Sequence, residues 1–416
     1  MTAERKHVVV VGGGIIGSCA AYHLLQAGSK VTVLEAATLA KATSGAGAGF
    51  VAHWSAGMIP MGEEGYHLQQ YGIDFYRSLS NLGQEIGFRP NGTLIMALTE
   101  EGRETFVRGV LESPYAPKEM QDLTAEEIGV KMQGLIDPSM VHSAAYNPLG
   151  IQFDTSLGLK VLAGEIARLG GDYREKNIVL DIRDHAGGVM LETNKGRIEA
   201  DGVVLAAGAW NGELVKCFDW HLPMLKVLAT RVTTDGRGLP STIPTVQCRE
   251  LGLWLRETFG AIMWGTGGHY HPYHRLDEEW IAPGQPNVEK LMQDMVDGDL
   301  ARLQEIFPPL RGSKVAAWAQ GVPCYTPDRN LFLGPVPGTT NVVLAGGDNE
   351  SGVTHGPGLG RLACELILDR KTMVDPNRFR LDRFSKDQFP ADADVEKALP
   401  SWSAKASHAF GEHTNA

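Results

Sequence analysis

The fold is decided close to the amino terminus, by the stretch His7-Val-Val-Val-Val-Gly-Gly-Gly-Ile-Ile-Gly17. Its run of valines predicts a buried parallel strand, and the glycines after it predict a tight turn into a helix. Gly12, Gly14 and Gly17 occupy the three positions of the pattern GxGxxG. The first glycine permits the turn, the second lets the backbone approach a phosphate, and the third allows close packing of helix on strand. The stretch therefore predicts a helix amino terminus that binds a pyrophosphate.

The residues that follow complete a βαβ unit. Cys19 to Ala27 continues with helical periodicity, Gly28 marks the helix end, and Lys30 to Leu34 predicts a second strand. Glu35 then stands about where a ribose-binding carboxylate is expected, roughly 20 residues after the fingerprint begins. A glycine turn that binds no nucleotide is the alternative, and the position of Glu35 favours a dinucleotide.

The identity of the dinucleotide depends on the rest of the chain, because NAD and FAD share this first unit. The stretch Ala42-Thr-Ser-Gly-Ala-Gly-Ala-Gly-Phe50 has small and hydroxyl side chains that leave room for a bulky isoalloxazine ring. The sequence has no second GxGxxG after a strand, which a flavin enzyme reduced by NAD(P)H would need. We therefore expect FAD, reduced by the organic substrate itself.

Composition limits the classes of protein that fit. The 416 residues are 43% hydrophobic and include 50 glycines, which predicts a globular chain with two domains. A formal charge of −11 disfavours a nucleic-acid partner. The 5 scattered cysteines suggest no disulfide framework, and no stretch resembles a signal peptide or a membrane span. We expect a cytoplasmic protein, for which peripheral membrane contact and a homo-oligomeric state both remain open.

The pattern of predicted elements indicates an α/β fold in which two domains interleave. A Rossmann-like FAD-binding domain is assigned to 1–90, 145–215 and 316–375, with an α+β substrate domain at 91–144 and 216–315. Alternating runs between Leu222 and Trp264 predict that the substrate domain is built on an antiparallel sheet. Residues 376–416 are assigned to a carboxyl-terminal tail, whose last stretch from 401 is expected to be poorly ordered.

Three further motifs carry a family resemblance. They are Val203-Val-Leu-Ala-Ala-Gly-Ala-Trp210, Tyr325-Thr-Pro-Asp-Arg-Asn330 and Gly352-Val-Thr-His-Gly-Pro-Gly-Leu-Gly360. Together with the glycine fingerprint and Ala42-Thr-Ser-Gly45, they resemble the D-amino-acid oxidase superfamily of FAD enzymes. This superfamily includes glycine oxidase, sarcosine- and dimethylglycine-oxidising enzymes and D-amino-acid dehydrogenases, and the likeness runs from residue 7 to about 385.

The resemblance implies a reaction. In such enzymes a C–H bond beside a substrate amine gives a hydride to the flavin N5, and the resulting imine hydrolyses in water. It implies a small amine or amino acid as substrate, with oxygen or an electron carrier as the acceptor. FAD is expected to bind non-covalently, and a covalent link through Cys324 is the alternative. A 2-hydroxy-acid dehydrogenase of the same superfamily would need a histidine to take the hydroxyl proton. A non-catalytic flavoprotein subunit is a third interpretation.

Candidate substrate-binding residues follow from the same resemblance. The arginine that such enzymes often carry before Thr-Pro-Asp is missing here. Either a substrate carboxylate is held by another cation, such as Arg256, Arg329 or Lys226, or the substrate has no α-carboxylate. The motif His269-Tyr-His-Pro-Tyr-His274 is interpreted as a loop near the substrate or solvent, and no metal site is assigned. The candidate catalytic residues are His355, Tyr325, His53 and Arg256.

The cofactor contacts are expected at the glycine turn, the end of the second strand and the small-residue segment. The loop from Gly346 to Gly360, predicted to open a helix near Leu359, is expected to direct N–H groups at the flavin N1–C2=O edge. The candidate cofactor-binding residues are Gly12, Gly14, Ile15, Ile16, Gly17, Glu35, Ala36, Thr43, Ser44, Gly45, Ala46, Gly47, Ala48, Ile178, Val179, Ala207, Gly208, Trp210, Gly347, Asn349, Gly352, Val353 and Thr354.

Overall fold

The fold is known from a computed structural model that describes residues 5–53, 61–276, 284 and 286–399. The tail from 401 onward, expected to be poorly ordered, lies outside the described residues. The strands are β1 (His7–Val11), β2 (Lys30–Leu34), β3 (Phe50–Val51), β4 (Thr93–Ala97), β5 (Gln121–Thr124), β6 (Ser143–Asn147), β7 (Ile151–Gln152), β8 (Asp172–Arg174), β9 (Val179–His185), β10 (Gly188–Thr193), β11 (Gly196–Ala200), β12 (Gly202–Leu205), β13 (Leu225–Thr234), β14 (Thr245–Cys248), β15 (Leu253–Thr258), β16 (Ala261–Thr266), β17 (His271–Pro272), β18 (Val315–Gly321), β19 (Cys324–Tyr325), β20 (Phe332–Pro335) and β21 (Val342–Gly346). The helices are α1 (Ile15–Gln26), α2 (Thr43–Ala46), α3 (Gly62–Ser80), α4 (Glu100–Gly102), α5 (Arg108–Leu111), α6 (Ala125–Lys131), α7 (Thr155–Arg168), α8 (Asn211–Leu214), α9 (Glu289–Ile306), α10 (Gly352–Ile367) and α11 (Asp392–Ala398).

The predicted βαβ unit forms the centre of a 6-stranded sheet with the order β20-β21-β12-β1-β2-β8. Its pairs are parallel except at β20 and β21, which run antiparallel. The valines of β1 are buried because both faces of the sheet are covered, as parallel sheets require. The carboxyl ends of β1, β2 and β12 meet at one edge, where such sheets bind their ligands.

Helix α10 packs across α1 on one face of this sheet. A side chain at Gly360 would place its Cβ only 2.5 Å from the backbone nitrogen of Ala20. The absence of a side chain at this position therefore lets the two helices approach closely. This packing fixes the amino termini of α1 and α10 near the same end of the sheet.

A 10-stranded sheet forms the second part of the molecule, with β17-β13-β16-β15-β14-β4-β6-β5 in order and β18 and β19 paired to β13. The runs predicted between Leu222 and Trp264 form β13, β15 and β16, which are antiparallel as expected. One pair, β4 with β14, is parallel, so the sheet is mixed rather than purely antiparallel. Its core includes Trp264 and Phe307 and receives side chains from α9.

Several predicted boundaries do not follow the sheets. Residues 145–147 of β6 and 316–321 of β18 pair within the large sheet, although the prediction placed them in the FAD-binding domain. The helix expected near Leu359 begins at Gly352, seven residues earlier in the chain. The segment after 376 is not a detached tail up to 399, since Phe379 and Val395 are buried.

Candidate active site

The glycine turn after β1 has the geometry that its sequence predicts. Gly12 has φ +106°, and a Cβ there would lie 2.4 Å from the carbonyl oxygen of Ala206. A Cβ at Gly17 would lie 1.9 Å from the carbonyl oxygen of Gly12. Neither contact is compatible with a side chain, so both positions require glycine. The turn presents the first N–H groups of α1, which have no partner within the helix, to an adjoining cavity.

Glu35 closes the second strand against this turn. Its carboxylate accepts the backbone N–H of Gly13 and the backbone N–H of Ala37, each at 2.8 Å. Burial raises the pKa of Glu35, and these two hydrogen bonds oppose that rise. The Tyr173 hydroxyl donates to the carbonyl of Gly13 at 2.9 Å. The side chains of Glu35 and Tyr173 thus hold the glycine turn in place.

The small-residue segment from 42 to 50 is tied both to α1 and to the large sheet. Ser44 Oγ accepts the backbone N–H of Ile15 at 3.0 Å. From the other side, Arg231 Nε donates to the carbonyl of Ala46 at 2.7 Å. The segment therefore lies between the two sheets and forms part of the cavity wall.

The approach to α10 is a strained loop. Asn349 and Glu350 have φ values of +48° and +71°, a left-handed conformation that non-glycine residues adopt at a cost of roughly 1–3 kcal/mol each. The Asn349 side chain holds the loop, because its Oδ1 accepts the Thr326 N–H at 3.0 Å and its Nδ2 donates to the Gly347 carbonyl at 2.8 Å. Thr326, from the Thr-Pro-Asp motif, therefore supports this loop.

The amino terminus of α10 differs from its expected arrangement. The Asp348 carboxylate lies beside the backbone at Glu350 and Gly352, and burial raises the pKa of Asp348 to about 6. The start of the helix thus faces a carboxylate of the chain itself. Gly352, Val353 and Thr354, in the first turn of the helix, still line the cavity.

One cavity of about 600 Å³ joins these parts. It extends from the glycine turn, between the two sheets, to a polar region at Arg249, Arg329 and Glu350. The candidate cofactor residues that line it are Gly12, Gly14, Ile15, Ile16, Glu35, Ala36, Thr43, Ser44, Ala46, Gly47, Ala48, Ile178, Val179, Ala207, Gly208, Trp210, Gly347, Asn349, Gly352, Val353 and Thr354. Gly17 and Gly45 instead pack against backbone, since a Cβ at Gly45 would lie 1.9 Å from the Ala40 carbonyl oxygen.

The two candidate catalytic histidines do not line the cavity. His355 is fully buried inside α10, where its Nε2 lies 3.3 Å from the Gln69 side-chain nitrogen. His53 is buried too, with its ring stacked on Tyr66 at 4.7 Å. Burial lowers the pKa of each histidine to about 4, so both are neutral at pH 7. The sequence placed His355 in a loop, and the earlier start of α10 turns it into the protein interior.

Arg256 also has a different environment from the one considered in the sequence. It is 3% exposed, and its guanidinium donates to the carbonyls of Ala48, Glu257 and Phe153 at 2.5, 2.9 and 3.2 Å. Its donors therefore stabilise the cavity wall from behind. Lys226, the other cation considered, lies 3.6 Å from Asp392 and is not part of the cavity lining.

Tyr325 donates a hydrogen bond to Glu350, a residue that the sequence analysis did not select. Its buried hydroxyl donates to Glu350 at 2.7 Å, and the hydroxyl of Tyr270 donates to the same carboxylate. Tyr325 itself is not among the lining residues, whereas Glu350 and Tyr270 are. Glu350 lies in the loop from Gly346 to Gly360 that the sequence analysis described. Its left-handed backbone and its two tyrosine donors, which only the structure shows, distinguish it from an ordinary acidic loop residue.

Arg249 is the second residue that the sequence analysis missed. It follows β14, lines the cavity and interacts electrostatically with Glu350 and Tyr325. Neither Arg249 nor Arg329 forms an ion pair with any residue that the structure describes, and Arg329 Nε is buried without a hydrogen-bond partner there. No motif marks Arg249, because it comes from the sheet whose pairing brings β14 beside β4.

The structure gives the surroundings of two further features named in the sequence analysis, Cys324 and the histidine-rich motif. Cys324 lines the cavity, but burial raises the pKa of its thiol, which disfavours the thiolate that a covalent link needs. In the histidine motif, His269 lies 3.5 Å from Asp299. The described residues contain no group of three or more side chains arranged to hold a metal ion.

The comparisons with known proteins agree with this geometry. Residues 7–366 match the family model described as FAD dependent oxidoreductase, DAO. The chain belongs to this family. It is 25% identical over 403 residues to human mitochondrial dimethylglycine dehydrogenase, covering 90% of this chain and 44% of that one. It is 26% identical over 400 residues to the formaldehyde-forming 4-methylaminobutanoate oxidase of Paenarthrobacter nicotinovorans, covering 91% of this chain and 46% of that one.

The fold of the FAD-dependent oxidoreductase family is also found in solved structures. Glycine oxidase from Geobacillus kaustophilus superposes with a TM-score of 0.77 at 24% identity, covering 92% of this chain and 100% of that one. The chain spans less than half the length of the two longer relatives named above. Among the described residues, no helix is long and apolar enough to cross a bilayer.

FAD is the cofactor of this family, and the cavity fits it. Gly14, the position at which the backbone approaches a pyrophosphate, lines the cavity, and the tight turn before it is fixed by the glycine at position 12. Small residues of α2 and the first turn of α10 line the next part of the cavity. Glu35 lies at the end of β2, where the ribose of a bound dinucleotide is held in such folds.

Proposed function

We propose that this protein oxidises a small amine that also carries a carboxylate, such as an amino acid or an N-alkylated amino acid. The product is an imine, which water hydrolyses to an amine and a carbonyl compound. FAD, when bound, supplies the acceptor for the hydride that leaves the carbon beside the nitrogen. Oxygen or an electron carrier would then restore the cofactor.

The observation that carries this proposal is the polar end of the cavity. Arg249 and Arg329 face it without an ion pair in the described chain. An arginine guanidinium binds a carboxylate with two parallel hydrogen bonds, which fixes both the position and the orientation of a small substrate. Trp254 and Ile95 provide apolar surface in the same cavity, which suits the carbon skeleton of such a substrate.

The chain's contribution to the reaction is mainly placement. The strained loop at Asn349 and the arginine-bound segment at Ala46 are each held by side-chain hydrogen bonds. Rigid walls of this kind hold a substrate in the geometry that the reaction needs without further ordering. The cavity is lined by residues of both sheets.

The alternative, oxidation of a 2-hydroxy acid, has less support. That reaction needs a base for the hydroxyl proton, and a histidine was the expected candidate. Neither His53 nor His355 lines the cavity, and no other histidine does so in the described part of the chain. A neutral amine needs no histidine for this step, so the lack of a histidine in this part of the lining favours the amine.

Anaerobic bleaching of the FAD-loaded protein tests the proposal. The flavin absorbance is followed while glycine, sarcosine, N,N-dimethylglycine, 4-methylaminobutanoate, proline and a series of 2-hydroxy acids are added in turn. We expect bleaching by at least one amine and none by the hydroxy acids. Recolouring in air then separates oxidase from dehydrogenase. Bleaching by no amine would refute the proposed reaction.

A further inference from the structure

The polar end of the cavity contains opposite charges that are not paired with each other. Arg249 interacts electrostatically with Glu350, yet no contact within 4.0 Å joins their charged atoms. Both side chains line the same cavity. Opposite charges usually meet in direct contact when a protein pairs them for stability. Because both charges line the cavity without contacting each other, the arrangement instead suits a ligand that carries a charge of each sign.

The Glu350 carboxylate is held by hydrogen bonds from two side chains. Tyr270 and Tyr325 both donate their hydroxyls to the Glu350 carboxylate. The backbone at Glu350 is left-handed, and the neighbouring Asn349 is fixed by its side-chain hydrogen bonds. Backbone strain that the surroundings maintain in this way is concentrated at functional sites. The two tyrosine hydroxyls and the left-handed backbone therefore fix the position of the Glu350 side chain.

We propose that Glu350 receives the amine of the substrate: it attracts the ammonium form and takes its proton. The N–H bond of the ammonium breaks, an O–H bond forms on the carboxylate, and the nitrogen keeps the electron pair. The neutral amine then has the lone pair that forms the C=N bond when the hydride leaves. Arg249 and Arg329 hold the carboxylate meanwhile. This inference rests on the proposed function and assigns the part of the site that selects the amine.

Charge recognition is tested without turnover, with two ligands of the same shape. The nitrogen of trimethylglycine carries a permanent positive charge and has no lone pair. In 3,3-dimethylbutanoate an uncharged carbon replaces this nitrogen, and the carboxylate is the same. Their dissociation constants are measured from the change they cause in the absorbance of bound FAD. In the unaltered protein we expect trimethylglycine to bind about tenfold more tightly than 3,3-dimethylbutanoate, because it adds an attraction between opposite charges near a protein surface. In Glu350→Gln this preference should disappear while 3,3-dimethylbutanoate still binds.

Two variants control for indirect effects. Glu213→Gln makes the same chemical change at a carboxylate of the cavity that is already paired with Lys216 at 2.5 Å. It should keep the preference for trimethylglycine. Tyr325→Phe removes one donor that positions Glu350 but leaves the carboxylate, so a smaller preference should remain, between that of the unaltered protein and that of Glu350→Gln. A preference that persists in Glu350→Gln, or that Glu213→Gln abolishes equally, would overturn the assignment.

Proton transfer is tested by the pH dependence of anaerobic bleaching, with whichever amine bleaches the unaltered protein. In Glu350→Gln the amine must lose its proton to water, so the bleaching rate should rise about tenfold per pH unit below the pKa of the free amine. The unaltered protein should show a shallower rise. Among the described residues, the charged and titratable groups at this end of the cavity include Arg249, Arg329, Tyr270 and Tyr325. Tyr270→Phe is measured alongside to identify any titration of that hydroxyl.

The outcomes separate this inference from the proposed function. If no amine bleaches the unaltered protein, the proposed function fails whatever the variants show. If amines bleach it but Glu350→Gln has the same pH profile and the same ligand preference, only the role of Glu350 fails. Retained FAD content and an unchanged unfolding midpoint show whether Glu350→Gln is folded, and Glu350→Asp, which keeps the charge, should recover part of the preference.

Discussion

Two arginines, Arg256 and Arg249, give opposite predictions when each is replaced by methionine. Arg256 is buried with its guanidinium on the carbonyls of Ala48, Glu257 and Phe153. Each hydrogen bond to a charged donor contributes roughly 1.5–3 kcal/mol, offset by the cost of burying the guanidinium. Removing the guanidinium leaves buried carbonyl oxygens without a donor, at a cost of about 1–3 kcal/mol each. We therefore expect Arg256→Met to lower the free energy of unfolding by roughly 3–5 kcal/mol.

Arg249→Met should leave that free energy within about 1 kcal/mol of its original value, because Arg249 has no ion pair in the described chain. It should instead weaken the binding of 3,3-dimethylbutanoate at least tenfold, about 1.4 kcal/mol, through loss of the guanidinium. Urea unfolding measures the first quantity, and a titration followed by FAD absorbance measures the second. The reasoning is refuted if Arg256→Met keeps its stability and loses the carboxylate, or if Arg249→Met binds the carboxylate normally.

Three more predictions concern the scaffold. Gly360→Ala should lower the free energy of unfolding, measured by urea titration, by roughly 1–3 kcal/mol, since its Cβ would lie 2.5 Å from the Ala20 nitrogen. An unchanged free energy would contradict the close packing of α1 and α10. Glu35→Gln should weaken FAD binding about tenfold by equilibrium dialysis, because one carboxylate holds the turn through the N–H groups of Gly13 and Ala37; equal affinity would remove that role. Burial raises the pKa of Asp348 to about 6, so the folded protein holds this proton more tightly than the unfolded chain. Stability of the FAD-free protein should therefore fall by up to about 3 kcal/mol as pH rises from about 4 to about 6, and Asp348→Asn should lack this fall in matched urea titrations.

Local sequence patterns predicted the nucleotide-binding half of the fold well. The valines of β1, the glycine turn and Glu35 lie close together in the chain, and short-range steric rules decide their arrangement. The segments at Thr43 and Gly352 needed the family resemblance to be noticed. They line the cavity because α2 and α10 bring their amino termini to the same edge of the sheet.

The substrate end was predicted poorly for a physical reason. Arg249 and Glu350 are 101 residues apart in the sequence, and only the pairing of β14, β15 and β16 with the rest of the large sheet brings Arg249 to the cavity. His355 was misplaced because the start of α10 was expected seven residues too late in the chain. It therefore lies in the first turns of the helix, buried in the core, instead of in a loop. Motif spacing cannot correct for either effect.

The central claim is that this cavity oxidises an amine that carries a carboxylate. It is tested most directly by comparing sarcosine and N,N-dimethylglycine with glycolate, which has the same two-carbon acid and a hydroxyl in place of the methylated amine. The FAD-loaded protein is mixed anaerobically with each compound, and both flavin absorbance and released carbonyl compound are measured. The account predicts bleaching by an amine, with one carbonyl compound released per flavin, and no bleaching by glycolate. Bleaching by glycolate alone would contradict it.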